Sequence, residues 1–163
     1  MHASLRRVRI ISDLTMPNFP ANEKDLLEVL SDARCWELLP TKPVGRVAFS
    51  MNALPAVLPV NYRVHDGDVQ FFTGTGAKLR AAFDRAVVAF EVDDYDPAAE
   101  TGWDVLVIGI ARAVTDADQI QDALEAGLRP WAGGHRGHLV SVRAQLISGR
   151  QIPPHAIGDG SIT

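Results

Sequence analysis

A chain of 163 residues is the size of one domain with short extensions. Its 47% apolar and 22% charged residues, with 13 Gly and 10 Pro, exclude a disordered or fibrous protein. Sixteen Lys plus Arg against 20 Asp plus Glu leave a net charge of -4, which excludes whole-molecule attraction to nucleic acid or an acidic membrane, so any anion site is local. The single Cys35 excludes an internal disulfide or Cys-based metal site, and no apolar run reaches the roughly 18 residues of a membrane span.

The N-terminus carries Arg6, Arg7 and Arg9 soon followed by Asp13, without the apolar h-region of a signal peptide, so a cytoplasmic protein is expected. Pro17, Asn18, Pro20 and Asn22 interrupt any period there, and residues 1–24 are predicted to form an arm ahead of a domain over 25–152, with 153–163 as a tail. Ser31-Asp32 predicts the start of a short helix with Cys35, Trp36, Leu38 and Leu39, stopped by Pro40 and Pro43. Strands follow at Val44 to Ser50 and at Ala56 to Val64, where Ala56, Leu58, Val60, Tyr62 and Val64 share one face and Pro59, Asn61 and Arg63 the other. The Asp66-Gly67 pair before Val69 to Thr73 predicts a tight antiparallel hairpin.

Gly74-Thr75-Gly76 ends that strand, and Leu79, Ala82 and Phe83 recur at helical spacing over Ala77 to Asp84. Strands are then predicted at Ala86 to Asp93 and Trp103 to Thr115, joined by an acidic loop, with Gly109 marking a bend. Asp116 caps a helix to about Leu128, and His138 to Ile152 is the last strand. Six strands, one tight hairpin and short helices predict a mainly β, antiparallel six-stranded barrel with peripheral helices. A doubly wound sheet is disfavoured, because the turn between the second and third strands has no room for a crossover.

Thr73-Gly74-Thr75-Gly76-Ala77-Lys78 places hydroxyls, open backbone and a cation where a strand gives way to a helix, a composition suited to an anion. On motif logic alone, an ordinary Gly-rich connection with a solvated lysine is the favoured reading of these residues. The spacing fits neither a Walker A loop nor a dinucleotide fingerprint. His135 and His138 lack acidic or Cys partners in their loop and read as surface or interface histidines, and no metal site is expected. Trp131 reads either as a cover for a planar ligand or as a packing anchor.

Leu58-Pro59-Val60-Asn61-Tyr62, the hairpin, Phe72-Thr73 and Gly76-Ala77-Lys78-Leu79 together resemble the pyridoxamine 5'-phosphate oxidase-like family of FMN-binding split barrels. Val44 to Phe49, Val88 to Asp93, Gly102-Trp103 and Trp131 followed by a strand ending Gly149-Arg150 extend the resemblance over about 25–152. It implies that Lys78 and Thr73, assisted by Thr75, hold the FMN phosphate. It further implies that Pro59-Val60-Asn61-Tyr62 pass along the ring edge, and that Phe72, Leu79 and Trp131 border the cofactor. From the residues alone Asn61 also reads as a solvent-facing strand residue, and Tyr62 as one that packs or lies at an interface.

The implied protein is a homodimer sharing a flavin site, an oxidoreductase passing electrons or hydride to a small-molecule substrate, with catalytic residues unknown because the chemistry resides in the cofactor. Its alternative is a non-catalytic module that sequesters flavin, deazaflavin or haem. The Arg–Leu–Pro ending with which the family's vitamin oxidases help bind their substrate is absent here, so that substrate is not implied.

Overall fold

The computed structural model describes residues 27–74, 83, 85–130 and 137–154. These residues form β1 (Glu28–Val29), α1 (Asp32–Leu38) running into a 3-10 turn (Leu39–Thr41), β2 (Val44–Met51), β3 (Leu54–His65) and β4 (Asp68–Thr73). β5 (Val87–Asp96), β6 (Thr101–Ala113), α2 (Ala117–Glu125) and β7 (His138–Ile152) complete the described elements. The expected Ala77 to Asp84 helix lies almost wholly outside them, as do most of the arm and tail.

The six long strands pair antiparallel in the order β7-β4-β3-β2-β5-β6, and β6 pairs back onto β7 to close the six-stranded split barrel that the sequence predicts. β7 pairs with β6 from Val140 to Ile152. Its other edge is divided between β4, over His138 to Arg143, and the two-residue β1, at Arg150 and Gln151. Two residues carry no readable period, so β1 had no sequence signal.

Local chemistry accounts for most joins. Asp66 and Gly67 take φ of 50° and 79°, the paired positive values of a type I′ hairpin. Asn52 and Ala53 do the same between β2 and β3, with φ of 53° and 63°. The Ser31 hydroxyl caps α1 by accepting the Arg34 N–H at 3.3 Å, and Asp116 caps α2 by accepting the Gln119 N–H at 3.0 Å.

α2 stops earlier than its apolar pattern suggests. Gly127 at φ 86° donates to the Leu124 carbonyl and Leu128 donates to that of Ala123, a Schellman ending that also buries Leu128. The acidic stretch read as a loop is instead mostly hairpin, since β5 continues to Asp96 with Tyr95 opposite Gly102 and Asp94 opposite Trp103. A Cβ on Gly102 would lie 2.8 Å from the Asp94 carbonyl oxygen, so glycine permits that close pairing.

Alternating residues of every barrel strand fill the interior, among them Val47, Phe49, Val60, Tyr62, Val69, Phe71, Phe90, Val105 and Val107. Cys35, Leu38 and Leu39 join this core from α1 and its 3-10 turn. The Cys35 thiol is pushed up first by burial and then by Asp32 and Asp104, and so stays protonated, as a packed apolar residue would. At Gly109 the partner register steps from Leu146 to Ala144, leaving Gln145 as the extra residue of a bulge in β7. Gly109, where a bend is expected, thus faces an irregularity of the ladder, and a Cβ on it would fall 2.2 Å from the Arg143 carbonyl oxygen.

One face departs from simple alternation. All of β4 beyond Asp68 is buried, because α2 lies over its outer side and forms a second small core of Phe72, Ala123, Leu128 and Leu139 with Val114, Ile120 and Leu124. No helix among the described residues is long and apolar enough to cross a membrane.

Candidate functional site

Where β3 and β4 leave the interior at one end of the barrel, a cleft of about 250 Å³ opens. Its lining includes Val47, Leu58, Val60, Phe71 and Phe83 from the interior. Pro59, Phe72, Thr73, Gly74 and Pro130 also contribute to it. Phe83 is fully buried, its ring centroid 4.5 Å from that of Phe49 and 5.6 Å from that of Phe71, and it forms an aromatic floor. Gly137 sits at the edge, where a Cβ would fall 2.6 Å from the Thr73 carbonyl oxygen and 3.3 Å from Pro130. That missing side chain lets the start of β7 close against the cleft.

Four of the expected site residues, Pro59, Val60, Phe72 and Thr73, meet here. Two others stand apart. The side-chain amide of Asn61 donates to the Arg129 carbonyl at 3.4 Å, which ties β3 to the segment that brings Pro130 to the cleft. Tyr62 points into the core, where its hydroxyl donates to the Leu39 carbonyl and burial raises its pKa, so it remains a neutral packing residue. Of the two readings for Tyr62, the described chain shows the packed one. Thr75, Lys78, Leu79 and Trp131 lie outside the described residues, although Gly74 and Pro130, the last described residues before Thr75 and Trp131, both line the cleft.

Among the described lining, Thr73 supplies the one side-chain hydroxyl. It lies 3.3 Å from the Gly74 carbonyl and 3.4 Å from that of His138, long contacts that a stronger acceptor such as a phosphate oxygen would displace. The remaining lining is dominated by aliphatic and aromatic side chains suited to a flat apolar body. The cleft therefore joins a hydrophobic slot to a polar mouth at Thr73-Gly74, where the Gly-rich turn begins. Its small volume falls below the roughly 300–1,000 Å³ of sites that enclose a drug-sized ligand.

Leu58, Val47, Phe71 and Phe83 escaped the sequence reading as lining because inward-facing apolar residues all look like core. Only their place beside the gap between β3 and β4, among the described residues, distinguishes them. Pro130 carried a weak signal as a loop start, and Gly137 none.

Pro59 also belongs to the barrel's outer surface. There Val57, Ala48, Ala89, Ile108 and Leu146 stand in one row across five strands, with Val87 opposite Ile110 beside it. Val57 is 60% and Val87 47% exposed, and the others in the row are half-buried. Arg46, opposite Pro59, bridges Asp93 and Glu91 at the border of this row. Glu91 is nevertheless raised, first by burial and then by Asp93, against the opposing pull of Arg46.

Residues 31–151 match the family model described as pyridoxamine 5'-phosphate oxidase. Rv0080, an uncharacterized protein of Mycobacterium tuberculosis, is 35% identical over 138 residues, covering 82% of this chain and 90% of its own length. The structure of an FAD binding protein from Mycobacterium smegmatis is 36% identical, with a TM-score of 0.63, over 76% of this chain and 95% of that one. An FAD and haem binding protein from the same organism, 16% identical with a TM-score of 0.59 over 77% of this chain and 73% of its own, shares the fold.

Proposed function

The chain belongs to the pyridoxamine 5'-phosphate oxidase family, and from that premise we propose that it binds a flavin nucleotide in the barrel-end cleft and acts as a flavin-dependent oxidoreductase on a small molecule. The observation that carries this is the meeting of Pro59, Val60, Phe72 and Thr73 around one apolar slot whose polar mouth opens at the start of the Gly-rich turn. The residues fit the group: the slot takes part of the ring system, Thr73 reaches a phosphate, and Lys78 four residues beyond Gly74 supplies a cation. Flavin would supply electron and hydride transfer, chemistry that asks for no nucleophile or general base among the described lining residues.

FMN is the form we propose to test first, although the slot and mouth address what FMN and FAD share and so do not choose between them. The Mycobacterium smegmatis relative is named for FAD, so the two nucleotides form the informative competition. Titrating FMN, FAD, riboflavin, a deazaflavin and haem into the purified protein is expected to perturb the flavin spectra, with either nucleotide bound more tightly than riboflavin. A flavin spectrum and fluorescence unchanged by the protein would overturn the assignment, and tight haem binding without flavin would favour the sequestering alternative. Reducing the bound flavin anaerobically and offering acceptors then separates catalysis from storage.

We further propose that the active form is a homodimer. The row from Val57 to Leu146 presents apolar side chains on the outer surface among the described residues, Pro59 links it to the cleft, and the small cleft needs a second wall to enclose a nucleotide. Light scattering is expected to give twice the chain mass of 17.7 kDa at micromolar concentration. An Ala89→Arg substitution at the middle of the row is expected to yield monomers whose flavin affinity falls with dissociation. A wild-type monomer that binds flavin fully would disprove the shared site.

A further inference from the structure

We propose that Arg63 is a positioning residue for the cleft: it clasps α2 to the outer face of β3 and β4 and thereby sets how readily the Pro130 side of the cleft opens. The ligand half of this proposal rests on the flavin reading, while the clasp itself does not.

Arg63 lies on the outward face of β3, and its guanidinium divides between two surfaces. Nε donates to the side-chain oxygen of Gln70 on β4 at 2.9 Å, and Nη2 meets the Asp122 carboxylate on α2 at 2.7 Å. Nη1 also reaches the Asp122 carbonyl at 3.4 Å. The Arg63 side chain is 16% exposed and Gln70 only 4%, so the barrel end of the clasp is buried although Asp122 is open to solvent. A half-buried guanidinium with three acceptors is fixed in direction, unlike a lone surface ion pair. The Arg63 hydrogen bond, with the charges of Arg63 and His65, holds the Asp122 carboxyl below its ordinary value, in keeping with a formed contact.

Among the described residues, what the clasp restrains has few other attachments. α2 spans nine residues, too short to be stable by itself, and its buried contribution among the described residues is Ala123, with Leu128 following its Schellman turn. These pack on Phe72 and Leu139, and Phe72 also lines the cleft. Two residues beyond Leu128 comes Pro130, another lining residue, and between them the Arg129 carbonyl accepts from Asn61. Movement of α2 away from β4 therefore disturbs the cleft at Phe72 and Pro130 together. Short elements with few buried contacts are where local opening concentrates.

The test compares wild type with Arg63→Ala and with Asp122→Asn, whose exposed site leaves the barrel core untouched. Hydrogen exchange of the amides in residues 117–129 is expected to quicken about tenfold in Arg63→Ala, and by less in Asp122→Asn, while exchange in β5 and β6 stays unchanged. The dissociation rate of bound FMN is expected to rise in the same order, by up to about tenfold, and Arg63→Lys, which keeps the charge facing Asp122, is expected to fall between the two extremes. Unchanged exchange over 117–129 in Arg63→Ala overturns the clasp, whether or not the protein binds flavin. Faster exchange with an unaltered FMN dissociation rate overturns the positioning role, and a uniform rise over all strands would identify Arg63 as a general stabilising residue instead. Failure of wild type to bind FMN refutes the flavin reading, and leaves the exchange comparison to decide the clasp.

Discussion

Phe90→Ala is expected to cost about 3–5 kcal/mol, the range for emptying a fully buried aromatic site. Phe90 has no exposed surface, its ring centroid lies 4.7 Å from that of Tyr62 in an edge-to-face contact, and the Tyr62 hydroxyl in turn donates to Leu39 beyond α1. One ring thus connects β5, β3 and the turn after α1. It also occupies space on β2: a Cβ on Gly45 would be 2.3 Å from the Phe90 ring. At roughly 2–4 °C per kcal/mol for a chain of this size, the alanine variant should melt about 10 °C lower. Gly45→Ala alone should lose about 1–3 kcal/mol through overpacking. Combining it with Phe90→Leu should cost clearly less than the two single changes summed, since the smaller side chain leaves room for the new methyl. Denaturant melts of the four proteins decide this, and simple additivity within about 0.5 kcal/mol would show that ring and glycine are not complementary.

Lys78→Ala is expected to weaken FMN by about ten- to a hundredfold, the loss of one charge-assisted hydrogen bond to phosphate. Riboflavin has no phosphate, so its weaker binding should be nearly indifferent. Lys78 lies outside the described residues, but Thr73 and Gly74 place the beginning of its segment at the mouth of the cleft. Thr73→Val should act in the same direction with a smaller effect, because a hydroxyl contributes less than a cation. Fluorescence titration with both flavins checks this in the apo-protein, whose melting temperature should hardly change on the lysine substitution. Equal losses for FMN and riboflavin would mean that Lys78 acts on the protein's structure. No loss for either would return the Gly-rich turn to a plain connection.

The barrel itself was legible because its signals are local. Alternation in β3 separated Leu58, Val60 and Tyr62 from Pro59, Asn61 and Arg63, and the structure keeps those faces. Asp66-Gly67 required a tight turn, Ser31 and Asp116 required helix starts, and Gly109 marked the bulge against β7. Each rests on the conformational preference or hydrogen bonding of a few adjacent residues, which the sequence carries without help from the rest of the chain.

What only the tertiary structure decided depends on residues distant in sequence. Gln70 and Phe72 alternate outward on β4, and by pattern should meet solvent, yet both are buried because α2, about fifty residues later, covers that face. Arg63 finds Asp122 for the same reason. The cleft is likewise a property of packing: Val47, Leu58, Phe71 and Phe83 are ordinary core residues by type and become lining because, among the described residues, β3 runs on past its pairing with β4. Local propensity fixed the strands and turns, but which apolar surface is covered and which is left open follows from how the closed sheet and its helices pack, and that information is spread over the whole chain.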